Sequence, residues 1–528
     1  MNPVHQRTRE GVYWTTVNAT EAIPGTTTPL TWSYYDDATE LALRETFALI
    51  GVLRTGDVAL PADTDERFIG IFHGHPAANL NRFRLMADLA PGGSGDALEQ
   101  QFFGTLMSGV QPHLSRRRYP FVAARSPWVM QQAPHRVHAL HGEAHRWWQT
   151  AAVAAPDAAR DRRLLREGAD LYRRVLVWHG AATMLTQGLY DQLGRLCAAA
   201  GLAGTEVTLV GGLEGVEESR TLDDIWAYSR GDLGRETVIA RHGFHGRDEG
   251  ELRTTVWRER PELVDTLAAA FRRMEIDHSP AAKNARAAAA ARVAAERLVT
   301  ASKARDRVKA RLVLALTRRL MPLREAGRGG LVRALDGTRA AARRIGEQAV
   351  ADGVLEQVDD VFFLTIEELC AGPEGGCRDL VAERRARHDE YVHTRLPEGW
   401  RGDPEPIVIA DEDDQGADLE GVAASAGRFE GVARVIESAD DEDELAPGEI
   451  LVCKTTDPGW APLMQTASAL VIAVGGPLSH GAIVARELGL PCVIGVRNAT
   501  SAIRTGDRIS VDGTTGRVQI LERSPTTA

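Results

Sequence analysis

Residues 475–496, GGPLSHGAIVARELGLPCVIGV, constrain the fold more than any other part of this chain. A Gly pair, then Ser479 and His480, precede a run in which Ile483, Val484 and Leu488 follow a helical period, with Arg486 and Glu487 between them. The short apolar runs 469–474 and 492–496 flank this helix and read as strands. The pattern puts the His480 imidazole at a helix amino terminus. Unpaired backbone N–H groups and the positive end of the helix dipole favour an anion there. A phosphoryl group on that imidazole would find its counter-charge already built in. Taken alone, a His after a Gly pair reads more readily as a capping or core histidine of an ordinary α/β domain.

The whole segment resembles the phosphohistidine swivelling domain of phosphoenolpyruvate-utilising enzymes, whose motif GGxxSHxAIVARE carries a transiently phosphorylated histidine. The likeness extends upstream through LVCKTTDPGWAPLMQTASALVIAVGG, Leu451 to Gly476, and downstream through Gly506, Asp507, RISVDG and Gly516. It implies that His480 is the catalytic phosphocarrier, and that Gly475, Gly476, Ser479 and Arg486 support its loop. Further short strands are expected at 431–436, 449–452, 508–511 and 517–521, giving a compact β/α domain of about one hundred residues.

Before this domain lies EGWRGDPEPIVIADEDDQGADLEGVAAS, residues 398–425, rich in Gly, Pro and acid. Like charges there predict an extended, mobile linker, with Ile407-Val-Ile as a short strand. The expected layout is multidomain: a large, mainly α-helical substrate domain over 1–397, the acidic flexible linker 398–425, and a small β/α phosphohistidine swivelling domain over 426–528. In the helical part, Pro280 to about Arg324 is rich in Ala, Arg, Leu and Lys and predicts continuous helix until Pro322. A second helical region, 160–200, is expected to break at Gly168 and Gly180.

The amino-terminal part is similar to the substrate domain of rifampicin phosphotransferase and its relatives. The likeness rests on YWTTVNATEAIPG from Tyr13, TPLTW at 28–32, HGFHGRDEGELRTTVWRERPEL from His242, LMPLREAGRGG from Leu320, and VDDVFFLTIEEL from Val358. Two departures stand out. His245 precedes Gly246 where the family often has Arg, and Arg328 follows Arg324 where the family has Lys. Arg324 and Arg328 are spaced i, i+4, so one helical face can present both guanidiniums to a phosphoryl group. The rival reading is a solvated face with Glu325 as partner. Glu249 and Glu251 are candidates for a base or metal ligand at a hydroxyl acceptor, against a rival reading as surface acids. His245 joins this phosphate- and substrate-binding set.

His138, His141 and His145 share one helix face. They fit either a metal site, an acceptor-side base, or an amphipathic helix with Trp147 and Trp148 as apolar mass. No metal site is assigned to the chain. The five cysteines are scattered outside any metal-ligand spacing and suggest no disulfide framework.

The net charge of −11 and the lack of a dense basic tract argue against nucleic-acid binding. No apolar run approaches membrane-spanning length, and the start MNPVHQRTREG has no apolar core, so a soluble cytoplasmic protein is expected. No GxxxxGK[ST] occurs. The chain opens on the substrate-domain pattern and ends soon after Leu521. The resemblance therefore implies a split enzyme, divided like the two-subunit phenylphosphate synthases. In it, ATP and Mg2+ are used by a separate ATP-grasp partner that charges His480, and the phosphoryl group passes to a hydroxyl of a small organic molecule, such as an antibiotic or other secondary metabolite. Two other readings fit the same residues: a phosphorylation-coupled dehydratase, in which phosphate is the leaving group, and a non-catalytic binding or regulatory protein that kept the fold.

Overall fold

The structure is a computed structural model. It describes all residues except 1, 18, 20–22, 24, 92, 104–114, 214–216, 273, 373–375, 409–417, 437–444, 457–459, 477–478, 497 and 525–528. The principal helices, in chain order, are α1 (Pro29–Leu49), α2 (Tyr119–Ala152), α3 (Ala158–Ala199), α4 (Glu217–Arg230), α5 (Arg235–His242), α6 (Glu262–Arg272), α7 (Pro280–Ala301), α8 (Arg307–Leu320), α9 (Pro322–Ala351), α10 (Cys377–Val392), α11 (Ala461–Thr466) and α12 (His480–Leu488). The strands are β1 (Tyr13–Thr15), β2 (Ile69–Phe72), β3 (His75–Asn79), β4 (Thr394–Arg395), β5 (Gly399–Arg401), β6 (Ile407–Val408), β7 (Asp418–Glu420), β8 (Val422–Ser425), β9 (Arg428–Val435), β10 (Glu449–Cys453), β11 (Ala469–Ile472), β12 (Cys492–Ile494), β13 (Arg508–Asp512) and β14 (Arg517–Glu522). The mainly helical chain with a carboxyl-terminal β/α region is the multidomain layout expected.

Two compact units form. The first contains residues 1–182, 248–254 and 326–410. Its core joins Leu30, Tyr34 and Tyr35 of α1 with Leu165 and Tyr172 of α3, Leu335 of α9, and Phe362 and Phe363. The three tyrosine rings meet edge to face, their centroids 5.2–5.5 Å apart. A four-stranded sheet in the order β2-β3-β1-β5 pairs Trp14 with Trp400.

Helix α3 runs without interruption through Gly168 and Gly180, where breaks were expected. Both glycines serve close packing instead. A Cβ on Gly168 would lie 2.1 Å from Thr338 Oγ1, and one on Gly180 would lie 3.1 Å from Thr46 Oγ1.

The second unit contains residues 183–247, 255–325 and 411–528. Its eight-stranded sheet has the order β7-β14-β13-β9-β10-β11-β12-β8, and β9 through β12 are parallel. The inner strands ILVC and ALVI are apolar throughout because both faces are covered. Ile450, Val452 and Val471 face one core with Ile509. Leu451, Leu470 and Ile472 face the other, with α12 and with Leu222, Ile225, Trp257, Val264 and Phe271 from α4, α6 and the segment before it. The β/α region therefore shares a core with helices from 183–325.

The strands expected after residue 426 all form, with small differences at their ends. At 398–425, β6 pairs with β4, β7 with β14 and β8 with β12, so strands occupy both ends of the acidic segment. Its middle, 409–417, lies outside the described residues.

The run expected as one helix over 280–324 divides. Ser279 caps α7, its side chain accepting from Ala282 N, and Pro280 sits at the first helical position. Ser302 then turns extended, and its hydroxyl donates to Leu298 O at 2.7 Å, drawing off a carbonyl of the last turn. Pro322 opens α9 rather than ending a helix, since a first-turn proline has no intrahelical N–H to lose. No helix among the described residues is long and apolar enough to cross a membrane.

Candidate functional site

In the first unit the functional residues collect around the loop 248–254. The α9 arginines hold its backbone. Arg339, fully buried, donates from Nε to Leu252 O at 3.1 Å and from Nη2 to Glu251 O at 3.0 Å and Glu249 O at 3.4 Å. Its Nη1 pairs with buried Asp336 at 2.9 Å, which also accepts from Trp148 Nε1 at 2.7 Å. Arg343 donates to Arg253 O at 2.9 Å and pairs with Asp359 at 2.8 Å. Sequence reading missed both. Arg328, Arg339 and Arg343 stand eleven and four residues apart, close to whole helical turns, so one stripe of α9 carries all three.

Glu251 is buried and accepts from Thr28 N at 3.2 Å, Thr28 Oγ1 at 2.7 Å, Thr31 Oγ1 at 2.6 Å and Arg253 N at 3.0 Å. Thr28 is the N-cap of α1, so this carboxylate sits at a helix amino terminus and orders the loop against it. Glu249 is buried too, with Arg328 Nη2 at 3.4 Å from its carboxylate. Neither acid is a surface group. Arg328 is partly buried; Arg324, one turn earlier on α9 and also partly buried, falls in the second unit.

The histidines of α2 do not converge. His138 is exposed, while His141 Nδ1 lies 2.9 Å from Ala326 O. Among the described residues no group of three or more His, Cys, Asp or Glu is placed to hold a metal ion.

In the second unit, β11 leads into the His480 loop. Gly475 takes a φ of +136°, and a Cβ there would lie 2.7 Å from Ile494 Cδ1, so both conformation and space call for glycine. Gly476 faces open space. Buried Ser479 is the N-cap of α12, its Oγ accepting from Ala482 N at 3.3 Å. His480 is thus the first residue of a nine-residue helix; its side chain lies outside the described residues. Gly481, which sequence reading passed over, packs so closely that a Cβ would lie 2.5 Å from Thr456 Oγ1. Arg486 is buried, donates from Nε to Ala424 O at 2.6 Å, and lies over the Tyr190 ring at 5.8 Å. It ties the far end of α12 to β8.

Elsewhere in the same unit, Lys283 of α7 is buried and donates to Gln465 O at 2.6 Å, and burial with a push from Arg286 lowers its pKa to about 8. Gln465 Nε2 donates in turn to His278 O at 2.7 Å.

His245, expected beside the acids, belongs to the second unit. It is buried against Phe244 and Trp257, with ring centroids 4.1 and 5.2 Å away. Its Nε2 lies 3.4 Å from Thr221 Oγ1, which lies 3.1 Å from His242 Nδ1, and His242 Nε2 meets Asp224 Oδ2 at 2.8 Å. Burial, aided by His245, lowers the His242 pKa to about 4, which keeps that ring neutral.

Two stretches match described families. Residues 445–516 match the mobile domain of PEP-utilising enzymes, and residues 236–325 match the rifampicin phosphotransferase fourth domain. The chain thus carries a phosphoenolpyruvate-utilising mobile domain together with a domain defined in rifampicin phosphotransferases. Among particular relatives, rifampicin phosphotransferase of Streptomyces sviceus is 33% identical over 58% of this chain and 37% of its own length. That of Bacillus cereus is 29% identical over the same shares. A Bacillus subtilis protein, "uncharacterized phosphotransferase YvkC", is 37% identical over 34% of this chain and 23% of its own length. The chain therefore spans well under half the length of the curated relatives it matches.

Proposed function

We propose that this chain is the phosphoryl-carrying and acceptor-binding part of a phosphotransferase. In this reading His480 takes a phosphoryl group that originates in ATP with Mg2+ at a separate ATP-grasp protein, and passes it to a hydroxyl of a small organic molecule in the cytoplasm. The observation that carries the proposal is the Ser479-capped helix that begins at His480, inside the stretch matched to the mobile domain. A phosphoryl group on that ring would meet the N–H groups and dipole of the first turn of α12. Covalent relay divides one difficult transfer into two easier ones. Arg328, with Arg324 a turn before it, supplies guanidiniums for the charge that develops on the transferring group. Glu249 holds Arg328, and Glu251 and Arg339 fix the loop that carries Glu249. The relatives' names point to antibiotic-like acceptors.

Phosphoramidate, which phosphorylates imidazoles without an enzyme, replaces the donor in a test. The charged protein is offered rifampicin, phenol and a panel of hydroxylated natural products, and phosphohistidine and phosphate ester are followed by 31P NMR. The expected result is one acid-labile phosphate on His480, discharged by one class of acceptor and missing from His480→Ala. Equal discharge of label from the His480→Ala protein would contradict the proposal.

A further inference from the structure

Segment 2–9, ahead of β1, lies along the outer edge of β2, an edge strand of the sheet in the first unit. Gln6 N donates to Ile71 O at 2.8 Å, Gly74 N to Val4 O at 2.8 Å, and Ile71 N to Gln6 Oε1 at 3.1 Å. Between these bonds the ladder uses a ring: His73 N donates to His5 Nδ1 at 3.2 Å, and the two imidazoles stand 4.4 Å apart. Val4 is buried with Trp32, Ile71 and Tyr391, and Thr8 N donates to Asp403 Oδ1 at 2.8 Å. The segment thereby covers a strand edge that would otherwise lie unpaired.

The turn beneath His5 leads to the candidate site. His73 and Gly74 join β2 to β3 with φ of +49° and +74°, the sign that a two-residue hairpin turn needs at both positions. Gly74 O accepts from Thr27 N at 2.8 Å, and a Cβ on Gly74 would lie 2.7 Å from Thr26 Cγ2. The next residue, Thr28, is the N-cap of α1 and binds the Glu251 carboxylate through its N and Oγ1. Three consecutive links, all inside the first unit, thus connect the His5 ring to the 248–254 loop.

A backbone N–H can only donate, so Nδ1 of His5 holds a lone pair and the ring is neutral. A proton added there sets two hydrogens against each other and places a cation beside the His73 ring. The groups facing His5 are His73 from the turn, Asp403 from the stretch after β5, Arg7 from its own segment and Arg387 from α10. Burial, His73 and the two arginines disfavour the charged ring and Asp403 favours it, and the balance puts the His5 pKa below the ordinary 6.5. His73 in turn faces His75, Glu390 and Asp403. Burial lowers its pKa too, against the pull of both acids.

We propose that His5 is a proton-sensitive clip: its neutral ring holds segment 2–9 on β2 and the His73–Gly74 turn against Thr27, and a proton on Nδ1 releases the segment and slackens the Thr27–Thr28 corner that fixes Glu251. The sign follows from the lowered pKa. The closed form has its full support above 6.5 and loses it as the pH falls through the lowered value. Over that window closure weakens by up to about tenfold per pH unit for each proton taken up. A regulatory role on the acceptor side rests on the phosphotransfer reading above; the release itself does not.

The test is amide exchange on the full chain between pH 7 and 5, expressed as protection factors so that the intrinsic pH dependence drops out. Protection at Gln6, Ile71, His73 and Gly74 is expected to fall roughly tenfold over this range, and at Thr28 and Leu252 by a similar factor, while Leu335 and Ile345 in the α9 core keep theirs. His5→Asn sets an amide oxygen in place of Nδ1 and does not titrate, so its protection should stay high at both pH values. His5→Leu offers no acceptor and should show weak protection at both. Flat wild-type protection, or a His5→Asn protein that loses protection as the wild type does, overturns the proposal. Equal loss in the α9 core, which marks global unfolding, overturns it too, as does loss on β2 and its turn with Thr28 and Leu252 unmoved. No phosphoryl group enters these measurements, so failure of His480 to charge defeats the earlier reading and leaves this one standing.

Discussion

Arg339 shows how single residues set the geometry of this protein. A guanidinium with no exposure is tolerated only where every donor and the counter-charge are supplied, and here three carbonyls of the 248–254 loop and Asp336 supply them. Removing it as Arg339→Ala takes the Arg339 guanidinium away from buried Asp336. It should cost about 3–5 kcal/mol, read from urea unfolding, and should speed amide exchange at 249–252 first. His242 makes a pH prediction. Its folded pKa of about 4 lies below the ordinary 6.5, so the unfolded chain binds more protons between these values. The stability it secures is complete above pH 6.5 and is lost as pH falls towards 4, on the order of 3 kcal/mol over the window. In His242→Gln this part of the acid slope should vanish from the melting curves. Lys283 behaves in the opposite range. Its pKa is lowered to about 8 from 10.5, so stability rises as pH climbs from 8 to 10.5, and Lys283→Met should flatten that rise.

At the scale of elements, the α3 glycines carry the clearest expectation. Gly168→Ala drives a methyl group to within 2.1 Å of Thr338 Oγ1 and should destabilise the protein by about 1–3 kcal/mol. The doubly substituted Gly168→Ala, Thr338→Ala protein should recover part of that loss in the same thermal melts, because the hydroxyl that clashes is gone. These glycines also show where reading a sequence stops. A glycine that lets two helices approach looks the same along the chain as one that ends a helix, and only the neighbour separates them. Strands β10 to β12 were legible because burial on both faces leaves continuous Val, Ile and Leu between turn residues. The short strands β1 to β3 announce themselves less, since Pro76 and Gly70 interrupt their apolar pattern. The break at Ser302 depended on a hydroxyl choosing a backbone carbonyl, which propensity does not register.

At the scale of the molecule, the two units divide the legible from the illegible differently. The His480 loop could be read because its chemistry lies in one contiguous stretch: a positive-φ Gly475, the Ser479 cap and the helix after it. Glu249, Glu251, Arg324 and Arg328 were named from resemblance, but their roles as helix cap, ion-pair partner and stripe member needed α1 and α9 brought to the loop. The Asp224 to His245 chain was invisible because its two i, i+3 pairs meet only when α4 and α5 pack together.

The central claim is that the imidazole of His480 carries phosphate to an organic hydroxyl. Its most direct measurement is peptide mass spectrometry of the phosphoramidate-charged full chain before and after exposure to the acceptor panel, under conditions that preserve phosphohistidine. The account predicts phosphate on the peptide containing His480, and its stoichiometric appearance as a phosphate ester on the acceptor. Phosphate located on another residue, or retained on His480 while ester forms, would contradict it.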